Sequence, residues 1–339
     1  MARSILVVRL GALGDLVHAL PAVAAMRRAW PDARIDWLVD GRYAGLLALV
    51  PIVDRVIVVG GAGGQPPLHV LRALRQERYD SAIDLQGLLK SAAFARFAGA
   101  RETVGFVAAQ LREPAAALFY TRRVTGDDAG HVVRKNLSLV RTLGAAAGAI
   151  ECPLNVPPSA ALEDARTRLV TGPGAPFAVI NPGAGWPNKR WPPDRYGAIA
   201  AHLLRRHRLA SIVLWGPGEQ ERAAQVAARS EGAAAVAPAT SLGDVVAIAR
   251  AAALLVAGDT GPLQLAAAVG TPIVGVFGPT NPARNGPWGG ADICLSRFDD
   301  CECHHKRRCR RPVPCIDDIS VEDVASAVDR RLAGGSGRG

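Results

Sequence analysis

Residues 4–22 read SILVVRLGALGDLVHALPA: an apolar run, a G-x-x-G-D turn, then an Ala- and Leu-rich segment. A buried strand followed by a tight turn and an amphipathic helix is the opening of a βαβ unit. Gly11, Gly14 and Asp15 fall just past the strand, at the carboxyl end where a doubly wound sheet receives its ligand. An aspartate there either caps the following helix or does chemistry. A dinucleotide site is a third option, because Asp40 ends the next strand where a ribose-binding acid would sit. The G-x-G-x-x-G fingerprint that such a site needs is missing.

The alternation continues outward from this stretch. A helix is expected over about 17–29; RIDWLV precedes YAGLLALV, RVIVV precedes HVLRALRQ, and SAIDLQ precedes KSAAFARFA. Three prolines in CPLNVPPSA suit a linker, and a second alternating series follows. It comprises FAVINPG, a helix from Asp194, SIVLWG, a helix from Glu219, one after a Ser241 cap, LLVAGDT, a helix from Gly261, and PIVGVFG. The expected class is α/β, with two Rossmann-like domains: residues 1–155 and 160–320, then a closing helix at 321–333 and a disordered tail at 334–339. Hydrophobic residues make up 49% of the 339 and aromatics only 5%, which fits Ala/Val/Leu/Ile interiors around parallel strands. No stretch reaches the roughly 18 uninterrupted apolar residues of a membrane span, so a cytoplasmic location is expected. The net charge of +10 favours an anionic partner.

Two further loops follow strands. NPGAGWPNKRWP (181–192) joins small residues, Gly185 among them, to Lys189 and Arg190, a combination suited to phosphate or diphosphate. In DTGPLQLAAAVG (259–270), Asp259, Thr260 and Gly261 open a helix whose free amides and positive dipole end form an anion site. The bland alternatives are a solvated loop and a simple cap.

Together, GALGDLVHALPA, DLQGLLKSA (84–92), REPAAALFYTRR (112–123), KRWP (189–192) and GDTGPLQLAAAVGTPIVGVFGPT (258–280) resemble the ADP-heptose:lipopolysaccharide heptosyltransferases of glycosyltransferase family 9, most closely the heptosyltransferase I type. The likeness runs from about residue 4 to 333. It implies a GT-B fold, two Rossmann-like domains facing each other across a cleft, with the acceptor site in the N-terminal half, the donor site in the C-terminal half, and no cofactor or catalytic metal. By that resemblance Asp15 is the general base, taking the acceptor hydroxyl's proton as the anomeric carbon inverts, and Lys189 with the 260–261 amides steadies the departing ADP. Donor contacts are expected at Gly185, Lys189, Asp259, Thr260, Gly261, Gln264 and either Glu219 or Glu221. Acceptor contacts are expected at Gly11, Ala12, Leu13, Gly14, Lys90 and Arg112. Arg122 and Arg123 could reach lipid A phosphates or anionic headgroups. His18 reads as a packing residue. Gln264 stands where many relatives carry histidine, and PGAGWPN differs from a threonine-bearing loop found in some of them.

The function so implied is transfer of L-glycero-D-manno-heptose from ADP-heptose to the Kdo of Kdo2-lipid A, at the cytoplasmic face of the inner membrane and in peripheral contact with its anionic surface. Its rivals are a related transferase with another core acceptor or nucleotide sugar and, from another class, a basic nucleic-acid-binding protein, for which no aromatic-interleaved basic strand or reader helix is present. In CECHHKRRCRRPVPC, Cys301, Cys303, Cys309 and Cys315 with His304 and His305 have enough ligands for a structural zinc, although C-x-C-x5-C-x5-C is not a common knuckle spacing.

Overall fold

The computed structural model describes residues 3–335 apart from 62, 128, 129, 147 and 305. His305 and residues 336–339 of the expected tail therefore lie outside the described residues. The chain divides into two compact units, Met1–Asn155 and Val156–Gly339.

In the first unit the strands are Ser4–Val8, Arg34–Asp40, Arg55–Val59, Ser81–Asp84, Glu102–Phe106 and Arg122–Val124, β1 to β6. They form one sheet ordered β3-β2-β1-β4-β5-β6, parallel throughout. The second unit repeats the plan with Phe177–Asn181, Ala210–Val213, Ala234–Val236, Leu254–Gly258, Ile273–Phe277 and Ile293–Ser296, β7 to β12. Its order is β12-β11-β10-β7-β8-β9, the same permutation of six strands, again all parallel. Parallel pairing requires a crossover between neighbouring strands, so both sheet faces are covered and the strands run apolar along their length. Leu6, Val8, Leu38 and Ala82 accordingly pack one core, and Ile180, Val213, Val256 and Val276 the other.

Strand order reverses between β1 and β4 and between β7 and β10, and a doubly wound sheet binds its ligand at such switch points. Register brings the strand ends level there: Val8 pairs with Asp84, and Ala257 with Asn181. Asp15 and Lys90 follow the strands of the first switch point. Lys189 and Asp259 follow those of the second.

Several elements differ from expectation. The first helix spans Leu13–Ala29, four residues earlier than periodicity indicates, and accommodates Pro21 in its interior. YAGLLALV yields only a 3-10 turn and the single helical turn Ala44–Leu47. Helices Pro193–His207 and Gln220–Ala228 start one residue from their expected positions. Ser241 caps its helix as expected and Ser320 caps the last one, each side chain accepting the N–H of the acid three residues on. The last helix, Val321–Ala333, belongs to the second unit, burying Val324, Ala327 and Val328 in its core. The proline-rich stretch forms neither helix nor strand: the Asn155 N–H donates to the Leu49 carbonyl at 2.8 Å, and Ser159 already caps helix Ala160–Thr167. No helix among the described residues is long and apolar enough to cross a membrane.

Asp84, fully buried at the end of β4, is held by four donors: the N–H groups of Gln86 (2.8 Å) and Gly87 (3.1 Å), Ser91 Oγ (2.9 Å) and the Tyr120 hydroxyl (2.7 Å). Burial nevertheless pushes its pKa up. Replacing Tyr120 with phenylalanine removes one donor from a carboxylate that water cannot reach. Tyr120→Phe should destabilise the chain by about 1–3 kcal/mol, read as a lower thermal unfolding midpoint.

Candidate active site

In the first unit the loops at the carboxyl ends of β1, β2, β4 and β5 are tied together. The Leu10 N–H donates to Gln86 Oε1 at 2.7 Å, and the Leu89 N–H donates to Glu113 Oε2 at 2.7 Å. Gly11 lies so close to Tyr43 that a Cβ there would sit 2.5 Å from the ring. This explains a glycine that the tight turn alone does not demand.

Arg9 organises this edge. Its backbone N–H donates to the Leu38 carbonyl, its own carbonyl accepts from Trp37 Nε1 at 3.1 Å, and its Nη1 donates to the Leu85 carbonyl. The remaining terminal nitrogen, Nη2, lies 2.9 Å from Asp15 Oδ2, pairing a buried guanidinium with a carboxylate whose side chain is 46% exposed. Asp15 sits in the first helical turn and accepts the Ala12 N–H at 3.2 Å, so the capping role is real. Desolvation pushes its carboxyl up, but Arg9, His18 and the Ala12 N–H together hold it below the ordinary aspartate value. Asp15 is therefore ionised at neutral pH, and among the described residues no hydrogen bond or ion pair engages its Oδ1.

His18 is buried edge-on to His131, ring centroids 5.3 Å apart. Lys90 is exposed, and its charge, after that of Arg42, helps depress Asp40. Arg112 is exposed and has no ion-pair partner among the described residues. Arg122 and Arg123 are engaged locally, with Glu102 and the Thr142 carbonyl, and with the Ala117 carbonyl.

In the second unit three loops converge. Lys189 Nζ lies 2.6 Å from Asp259 Oδ2, both side chains about 15% exposed, and 4.5 Å above the Trp186 ring. Trp191, fully buried, donates through Nε1 to the Ile319 carbonyl at 3.0 Å and anchors the loop carrying Lys189. Asn181 Nδ2 bridges the Gly183 carbonyl and Thr260 Oγ1, each at 3.3 Å. Thr260 caps helix Gly261–Ala268, whose first-turn N–H groups lack intrahelical acceptors.

The Glu219 carboxylate lies where a Cβ on Gly183 would be, 1.9 Å from Oε2, and accepts the Gly216 N–H at 3.1 Å. Glu221 points out from the first turn of its helix into solvent. Gly185 is exposed, with open space over its Cα. Gln264 is buried, its Nε2 donating to the Asn285 carbonyl at 2.6 Å. Burial and the charge of Arg190 lower the Arg222 pKa, and Glu219 acts against them.

Sequence reasoning missed Arg9, Asn181 and Trp186. Arg9 had a signal, a charge that interrupts an otherwise apolar run. Asn181 and Trp186 had none, because their roles depend on loops distant in sequence.

Residues 68–315 match the family model for glycosyltransferase family 9 (heptosyltransferase). The chain belongs to glycosyltransferase family 9. Among the relatives of this family member is lipopolysaccharide heptosyltransferase 1 of Pseudomonas aeruginosa, 33% identical over 90% of this chain and 87% of the relative. The enzyme of the same name from Escherichia coli K12 is 32% identical over 84% and 91%. Among solved structures, E. coli heptosyltransferase WaaC with ADP superposes with a TM-score of 0.77 at 25% identity, covering 98% of this chain and 99% of that one. WaaC with ADP-2-deoxy-2-fluoro heptose gives 0.74 at 27%, covering 96% and 99%. The two six-stranded parallel sheets are those of a GT-B glycosyltransferase.

Because Arg9 is a major depressing charge on Asp15, Arg9→Met should raise the Asp15 pKa towards the ordinary aspartate value. A carboxyl-resolved NMR titration reads this directly; an unchanged pKa would show that the ion pair is not formed in solution.

Proposed function

We propose that this family 9 glycosyltransferase moves L-glycero-D-manno-heptose from ADP-heptose to the Kdo of Kdo2-lipid A with inversion at the anomeric carbon, the first unit receiving the acceptor and the second the donor. The names of the relatives, heptosyltransferase 1 at 33% and 32% identity, support the transferred sugar and lipopolysaccharide as its destination. The observation that carries the mechanism is the pair of charged sites at the two switch points: an ionised aspartate at one, a lysine beside uncommitted helix-terminal amides at the other.

In the proposed reaction the acceptor hydroxyl oxygen attacks the anomeric carbon while the bond from that carbon to the β-phosphate oxygen breaks. Asp15 takes the hydroxyl proton. A carboxylate held below its ordinary pKa is a weak base towards an alcohol, so proton transfer comes late, once attack has acidified the hydroxyl. General-base assistance of this kind is worth about 10²- to 10⁴-fold. Charge gathers on the departing ADP, and Lys189 with the Thr260 and Gly261 amides is the set available to meet it.

Asp259 would repel a diphosphate directly. Its ion pair with Lys189 gives it a different task, setting the lysine's position while cancelling its own charge. Glu219, turned inward over Gly183, is the better candidate than Glu221 to accept from the donor ribose hydroxyls. Lys90 and Arg112, both exposed and in no ion pair among the described residues, suit an anionic inner-core acceptor. The basic surplus supports peripheral attachment to an anionic membrane surface on its cytoplasmic side.

Asp15→Asn should keep ADP affinity unchanged by calorimetry and lower turnover of ADP-heptose with Kdo2-lipid A at least about a hundredfold. Turnover near that of the parent enzyme would remove Asp15 from the chemistry, and acceptors of graded length would reveal a preference for another core sugar. The acid limb of kcat/KM, which requires ionised Asp15, should fall below the ordinary aspartate pKa. Glu219→Gln should raise the donor KM about tenfold or more, as expected for a lost hydrogen bond to a charged group, whereas Glu221→Gln should leave it unchanged.

A further inference from the structure

The cysteines after β12 do not assemble a metal site. Cys303 Sγ lies 3.5 Å from Cys309 Sγ, yet no three of the four sulfurs lie within 4.8 Å of one another. Among the described residues one group meets that spacing: His202, His207 and Asp329, none of which has a part in the chemistry above. The two histidines come from helix Pro193–His207 and Asp329 from the last helix, Val321–Ala333.

Both imidazoles bring the same atom to the same oxygen. Nε2 of His202 and Nε2 of His207 lie 2.8 and 2.6 Å from Asp329 Oδ1. The other carboxylate oxygen, Oδ2, is 3.3 Å from Arg206 Nε, which holds the carboxylate in place and leaves Oδ1 to the histidines. Metal-ligating carboxylates are held by outer partners in this way. A tetrahedral ion with bonds of about 2.1 Å needs ligand edges of about 3.4 Å, so each nitrogen would draw back from the oxygen by less than about 1 Å. Side-chain rotation can supply that, because the three side chains are between 21% and 34% exposed rather than locked in the core.

The surroundings suit a cation. His207 is the last residue of its helix, where the dipole attracts positive charge. Of the neighbouring arginines, Arg206 pairs with Asp329 itself, Arg205 pairs with Glu231 at 2.7 Å, and Arg330 donates to Ser326 Oγ at 2.7 Å. A cavity of about 440 Å³, lined by Arg206, His207, Asp329, Arg330, Leu332 and Ala333, opens beside the three ligands and gives room for water to complete the coordination.

We infer that His202, His207 and Asp329 bind one divalent transition-metal ion, zinc by the fit of two imidazoles and a carboxylate to its tetrahedral set, with water in the fourth position. The ion is a clamp between two helices. Crossover helices run back against parallel strands, so the carboxyl end of helix Pro193–His207 lies at the edge of the sheet opposite to Lys189 and Asp259. At their amino ends the same two helices are already joined, where Arg195 Nη1 donates to the Asp317 and Ile319 carbonyls at 2.6 and 2.8 Å. The ion fastens the other end.

The test uses the full chain without an affinity tag, stripped with chelator and titrated with zinc chloride by calorimetry. One zinc per chain should bind, and a hundredfold excess over Kd should raise the thermal unfolding midpoint by about 5 °C. His202→Gln and His207→Gln keep a side-chain N–H for Asp329 but lose the imidazole; each should weaken zinc binding at least about tenfold, with an unfolding midpoint in chelator near that of the parent. Alkylating the cysteines beforehand should leave binding intact. If the variants fail to fold, imidazole nitrogen NMR of the parent should show zinc converting two of the seven histidines to Nε2-ligated rings. ADP affinity should be the same with and without zinc; a change would place the ion in donor binding and overturn the clamp. No binding heat and no shift in unfolding, binding that survives both substitutions, or binding abolished by alkylation would overturn the site and leave Asp329 as a hydrogen-bond acceptor for two imidazoles.

Discussion

Parallel strand pairing governs both units. When every strand of a sheet runs the same way, every outgoing loop leaves from one edge, and at the switch point the loops on either side diverge to leave room for a ligand. In this chain that geometry acts twice. Loops far apart in sequence, those after β1 and β4 or after β7 and β10, become neighbours only because the strand order is the same permutation in each unit. Asp15 and Lys189 owe their positions to hydrogen bonding between backbones that carry no functional side chain.

Each switch point pairs a carboxylate with a cation, and the two pairs are built for opposite ends. The buried partner at the first is Arg9, held by backbone groups from neighbouring strands, and it keeps a half-exposed acid ionised. At the second, Lys189 and Asp259 are similarly shielded, and Trp186 lies against the ammonium. A cation shared between an acid and an aromatic face keeps its charge while its motion is restricted. A fixed positive charge stabilises developing negative charge with little reorganisation when the bond breaks.

Much of this was legible in the chain. The two alternating series marked both sheets because buried parallel strands leave dense apolar runs, and the loop residues stood out because glycine, aspartate and lysine are out of place at the end of such runs. Helix boundaries were less accurate: Ala12, through which the first helix enters, has no capping side chain of its own, and the mark of the start lies three residues on in Asp15, whose carboxylate reaches back to the Ala12 N–H. YAGLLALV reads as a helix by composition but is cut to one turn between Asp40, whose side chain caps the preceding turn, and the short strand that follows. The choice between Glu219 and Glu221 could not be made from spacing, since it depends on the room that Gly183 leaves. Nor could the anchoring role of Trp191, whose partner lies 128 residues away.

The loops after β1 and β4 are stitched together by Arg9 reaching the Leu85 carbonyl and Gln86 reaching the Leu10 N–H. Neither loop can drift in evolution by itself, because a change in one leaves a buried donor or acceptor of the other without its mate. Chimeras between relatives that aim to swap acceptor preference would have to transplant both segments as one cassette, even though some seventy-five residues of chain separate them.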